Sequence, residues 1–96
     1  MKVGIAKEIF PGERRVSATP DTVARLLKMG CEVLVESGAG TGAAFPDDHY
    51  EKAGARMIDS SRELWDQSDV VLKVRPPEAN EVDFMSAGKV LICFVW

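Results

Sequence analysis

Apolar residues in this chain come in short, nearly continuous runs at positions 3–6, 32–36, 55–58, 69–74 and 90–95, and the gaps between them carry helix or turn signals. A strand with one face in water alternates apolar and polar side chains, whereas a strand buried on both faces does not. The runs are therefore expected to be strands of a parallel sheet covered by helices on both faces. The fold class that follows is α/β: a three-layer parallel sheet, Rossmann-like or flavodoxin-like and incomplete, with its strand order left open.

The helix signals are local and physical. Thr19 can accept from free N–H groups of a first turn, and Pro20 suits the first helical position, where its missing N–H is not needed. Val23, Leu26 and Leu27 share one face, Arg25 and Lys28 sit near the C-terminal end of the dipole, and Gly30 supplies a left-handed stop. Asp47 or Asp48 is placed to cap a short helix through Ala53, ended by Gly54. Ser60 with Glu63 reads as a capping box. A weak helical turn is expected over 81–85, broken by Gly88. The apolar run at 90–95 stops at Trp96. Termini normally lie in exposed segments, so the chain is expected to be the opening part of a longer, two-domain subunit.

Charge removes some function classes. The 96 residues carry a net charge of −3 with the charges interspersed, which gives no basic surface for nucleic acid or an anionic membrane. No stretch approaches the roughly 20 apolar residues of a membrane span, and the first apolar run is too short for a secretory leader. Cys31 and Cys93 lie far apart without metal or redox spacing and read as reduced core residues of a cytoplasmic protein. His49, the single histidine, reads as a surface residue, and no metal site is expected. Trp65 and Trp96 read as core or interface residues.

Three features could carry chemistry. Gly38, Gly40 and Ala43 fit a G-x-G-x-x-A pattern after a strand, and Asp59 follows at a spacing suited to a ribose-binding acid. Pro46, however, interrupts the helix that a pyrophosphate would need, so the pattern reads as a strand-to-helix loop. Arg14 and Arg15 follow the first strand at the presumed carboxyl edge, where open α/β sheets bind ligands; they either grip a carboxylate or phosphate there or are simply solvated. Lys73 interrupts the run Val70-Val71-Leu72-Lys73-Val74 at a strand's carboxyl end. Either its ammonium meets an anionic partner or ligand, or the stem snorkels the charge to water. Glu8, at another strand end, is the internal partner available to either cation.

The segments Val3-Gly4-Ile5-Ala6-Lys7-Glu8, Glu13-Arg14-Arg15-Val16 and Thr19-Pro20, followed by Glu32-Val33, Val35-Glu36-Ser37-Gly38-Ala39-Gly40, Ala53-Gly54-Ala55 and Asp69-Val70-Val71-Leu72-Lys73-Val74, resemble the alanine dehydrogenase and NAD(P) transhydrogenase family in order and spacing. The resemblance runs over essentially the whole chain. It implies that residues 1–96 are the N-terminal part of a first α/β domain, with the NAD-binding Rossmann domain outside them. It places 38–42 in a loop of that first domain and implies that NAD and NADP belong to the full-length complex, with no cofactor bound by residues 1–96 alone. Within the family, alanine dehydrogenases hold the carboxylate and carbonyl of pyruvate on an arginine and a lysine, at positions matching Arg15 and Lys73. A catalytic histidine of those enzymes matches Trp96, so no catalytic residue is assigned here.

An ending of Phe94, Val95 and Trp96 resembles instead the transhydrogenase α subunits. That resemblance implies an oxidoreductase and translocase: an NAD(H)-binding α subunit passing hydride between NAD(H) and NADP(H), coupled to proton translocation. The implied partners are the remainder of the α subunit, a membrane β subunit and further copies of itself. The implied location is the cytoplasmic side of the inner membrane, reached through the complex. Arg15 and Lys73 would then be structural. The alternatives are an NAD-dependent alanine dehydrogenase and a non-catalytic α/β assembly module.

Overall fold

The computed structural model describes residues 1–82, 84 and 89–93. Strands β1 (Lys2–Ile5), β2 (Glu32–Glu36), β3 (Arg56–Ile58), β4 (Val70–Leu72) and β5 (Val90–Ile92) form a sheet in the order β3-β2-β1-β4-β5. Every neighbouring pair is parallel. This is the Rossmann order and not the flavodoxin one, and it sets the topological switch between β1 and β4. Helices α1 (Pro20–Lys28), α2 (Asp47–Ala53), α3 (Ser61–Gln67) and α4 (Ala79–Val82) connect the strands.

The period of two within each strand sends its side chains into two cores. Val3, Ile5, Val33 and Val35 pack with Val23 of α1 and Tyr50 of α2 on one face. Leu34, Ile58 and Val71 pack with Leu64 and Trp65 of α3 on the other. Gly4 makes the second layer possible, since a Cβ there would stand 2.9 Å from the Ser68 Cβ just beyond α3.

Thr19 caps α1 by accepting from the Thr22 N–H at 3.3 Å, and Ser60 caps α3 by accepting from Glu63 N–H at 3.4 Å. Gly30 has φ +91, as its role as a helix stop requires. Two expectations change. Asp47 is the first residue of α2 and not its cap; its carboxylate accepts from Gly38 N–H at 2.9 Å, so a tertiary contact takes the oxygen that a cap would have used. The turn expected over 81–85 begins earlier, as α4; Met85, Gly88, Phe94, Val95 and Trp96 lie outside the described residues.

Candidate functional site

The register aligns the carboxyl ends of the central strands: Ile5 pairs with Val35 on one side and Leu72 on the other. Residues just past those ends therefore converge on one edge. Lys73 follows β4 and points inward, with its side chain 1% exposed. Its Nζ lies 3.2 Å from Glu8 Oε1 and 3.2 Å from Glu81 Oε2, carboxylates that are themselves 2% and 1% exposed. Glu8 also accepts from the amides of Val74 (2.9 Å) and Arg75 (3.1 Å), and Glu81 from Glu78 N–H (2.9 Å). One carboxylate thus ties the end of β1 to the end of β4 across the switch, and the other holds α4 to the same ammonium.

A third buried carboxylate closes the edge on the other side. Glu36, the last residue of β2, accepts from Lys7 N–H at 3.0 Å. Burial pushes its carboxyl above the ordinary range, opposed by the Lys7 N–H and by the charges of Lys7 and Lys73, and reinforced by that of Glu81.

Outside this layer lies a more exposed one. Glu13 receives the Arg15 guanidinium through Nε (2.9 Å) and a terminal nitrogen (2.8 Å), and also accepts from Arg75 Nε (2.8 Å). The Arg15 side chain and backbone N–H, then Arg75, hold the Glu13 carboxyl well below the usual carboxylate range. The same contact with Glu13 raises Arg15 above the ordinary guanidinium value. The Arg75 guanidinium also sits 4.2 Å from the centre of the Phe10 ring. Lys7, Arg14, Arg15, Gly38, Thr41 and Gly42 border an open cleft of about 330 Å³ beside this layer.

Arg15 and Lys73 are therefore placed differently. Arg15 is exposed and borders the cleft, while Lys73 is enclosed at the switch and borders a separate hollow with Ser17, Leu72, Ile92 and Cys93. Lys73 does not snorkel to water. Glu8 pairs with Lys73, whereas Arg15 pairs with Glu13. Glu36, Glu81 and the Glu13–Arg75 contact were not singled out from sequence. His49 is exposed on α2, and Asp59 accepts a hydrogen bond from Ser37 at 2.8 Å.

The glycine pattern does not fit a dinucleotide. Thr41–Ala43 is a single tight turn, Ala44 is left-handed at φ 66, and α2 starts only at Asp47. A Cβ at Gly40 would stand 2.5 Å from the Tyr50 ring, and one at Gly42 3.2 Å from the Arg14 backbone. Both glycines answer to internal packing, and they do not run directly into a helix as the pyrophosphate fingerprint does, since α2 starts only at Asp47.

The chain matches the family described as "Alanine dehydrogenase/PNT, N-terminal domain" over residues 4–96. It is 43% identical over 96 residues to the NAD(P) transhydrogenase subunit alpha of Cereibacter sphaeroides, covering all of this chain and 18% of that one. It is 41% identical over 95 residues to the alanine dehydrogenase of Halomonas elongata, covering 99% of this chain and 26% of the relative. A crystal structure of transhydrogenase from Sinorhizobium meliloti superposes with a TM-score of 0.92 at 42% identity, over 99% of this chain and 28% of that one. The chain thus spans about a fifth to a quarter of the length of such relatives.

Proposed function

The chain belongs to the alanine dehydrogenase/PNT N-terminal domain family, and from that premise we propose that it is the N-terminal portion of the NAD(H)-binding α subunit of a proton-translocating NAD(P) transhydrogenase. In this reading NAD(H) and NADP(H) donate and accept the hydride in the whole complex, and the Rossmann domain that holds NAD(H) is supplied by the rest of the subunit. Proton movement belongs to a membrane β subunit, and the assembly is oligomeric at the cytoplasmic side of the inner membrane. Among the described residues, no helix is long and apolar enough to cross a membrane.

The observation that carries this reading over the amino-acid dehydrogenase is the state of Lys73. Its ammonium is 3.2 Å from two buried carboxylates, so its charge is already compensated inside the fold. A lysine held this way offers little to a substrate carboxylate. Trp96 agrees: an indole cannot shuttle the proton that amino-acid oxidation releases. Arg15 and Lys73 are then structural residues, one tying the outer layer through Glu13 and the other the switch through Glu8 and Glu81.

The second reading, an alanine dehydrogenase, draws on Arg15, which is exposed at the cleft and sits where the family resemblance puts a pyruvate-binding arginine. The two separate in one experiment on the full-length protein with its natural partner subunits. Reduction of an NAD analogue by NADPH without added alanine supports the transhydrogenase. Oxidation of alanine to pyruvate and ammonia with reduction of NAD to NADH, and no nicotinamide-to-nicotinamide transfer, overturns it.

A further inference from the structure

The cleft beside β1 and β2 has an unbalanced lining. Its two carboxylates are already satisfied, Glu8 by Lys73 and the Val74 and Arg75 amides, Glu13 by Arg15 and Arg75. Lys7 and Arg14 are exposed on the same cleft, and among the described residues neither side chain has a carboxylate within ion-pair distance. Two glycines leave main chain open on the wall beside them: Lys7 Nζ is 3.5 Å from where a Gly38 Cβ would stand, and the Arg14 backbone is 3.2 Å from a Gly42 Cβ. An ammonium and a guanidinium over such a wall suit a compact group bearing two negative charges.

Behind Lys7 lies Glu36. Of the three buried carboxylates on this edge it is the least compensated, accepting from the Lys7 N–H where Glu8 also receives an ammonium and a second amide. The charged groups that act on it are Lys7, Glu81 and Lys73. An anion seated on Lys7 offsets that cation's field at Glu36, leaving burial and the Glu81 charge less opposed. The neutral acid is then favoured.

We propose that this cleft binds a dianionic oxyanion of the phosphate type on Lys7 and Arg14, and that Glu36 takes up a proton from solvent as the anion binds. No covalent bond to the ligand forms; the only new bond is O–H on Glu36. By reciprocity, anion affinity rises as pH falls through the titration of Glu36. The site goes beyond the function proposed above and holds whichever hydride-transfer reaction the whole protein performs.

The test is calorimetric titration of the full-length protein with sulfate, which stays a dianion across the working pH range, in two buffers of different protonation enthalpy. The site requires saturable binding with net proton uptake. Lys7→Gln and Arg14→Gln should each weaken it about tenfold, the loss of one charge-assisted hydrogen bond. Glu36→Gln should keep sulfate binding and lose the proton uptake. Infrared difference spectra of the unaltered protein should gain a protonated-carboxyl band on sulfate addition, a readout that needs no variant. Acetate should bind at least about tenfold more weakly, since it carries one charge. Absence of saturable binding, affinity unchanged by Lys7→Gln, acetate equal to sulfate, or proton uptake that survives Glu36→Gln would each overturn the proposal.

Discussion

Replacing Lys73 by Met keeps a stem of similar length and removes the cation that Glu8 and Glu81 share. All three side chains are at most 2% exposed, so water does not take the ammonium's place. Breaking a buried ion pair from one side costs about 3–5 kcal/mol, because the remaining carboxylates stay buried without compensation. That is a large share of the roughly 5–15 kcal/mol by which a domain is stable. The strain falls first on the contacts Glu8 makes across the switch, the amides of Val74 and Arg75. Hydrogen exchange of those two amides in the full-length protein should speed up by roughly 10²- to 10⁴-fold, the same energy read as a local opening constant. Amides of Leu34 and Val35 in β2 report whether the opening stays local. A combined Glu8→Gln, Lys73→Met, Glu81→Gln variant removes all the charge and should recover much of the protection. Recovery stays incomplete by about 1–3 kcal/mol, since a glutamine offers a single acceptor where Glu8 serves two amides. Exchange within about threefold of the unaltered protein in Lys73→Met would refute the view that this ammonium holds the edge together. Native exchange combined with lost substrate binding would return Lys73 to a substrate role.

The remaining predictions concern single contacts. Glu36 has a raised folded-state value, so the folded protein keeps its proton to higher pH than the unfolded chain does. Its contribution is full at low pH and is lost as pH rises through the folded value; Glu36→Gln should flatten that part of a stability–pH curve measured by urea titration. Gly4→Ala pushes a methyl against Ser68 and should destabilise by about 1–3 kcal/mol in urea unfolding, while Gly12→Ala, with nothing within 4 Å but φ +85, should cost only its backbone strain. Thr19→Ala removes the α1 cap and should cost about 1 kcal/mol in the same assay.

What could be read from sequence divides by range. Caps and stops are local, so Thr19, Ser60 and Gly30 were legible from neighbours a few positions away. The parallel sheet was legible because the interior of a strand covered on both faces is apolar, as Val33, Leu34 and Val35 are between Glu32 and Glu36. Strand order was not, since nothing in β4 says that it returns to the far side of β1. Asp47 marks the limit well: a carboxylate before an apolar-periodic stretch looks like a cap, yet a glycine amide nine positions back claims it.

Lys73 was conspicuous because it breaks an apolar run, but its partners were only half visible. Glu8 follows a strand and could be matched to it. Glu81 lies in a short helix beyond Pro76 and Pro77, where an acidic residue is unremarkable. Glu36 ends a strand with a charge, as strands at a surface often do. It becomes informative only once β2 is known to lie inside the sheet, one strand from the switch. An acidic residue at one strand end says little; Glu36, Glu8 and Lys73 at aligned carboxyl ends of three adjacent parallel strands leave few routes to solvent, so their charges must be settled with one another. That condition links the fold to the site. The central strands bring these groups together, and Lys7 and Arg14, with no carboxylate at ion-pair distance among the described residues, face the cleft.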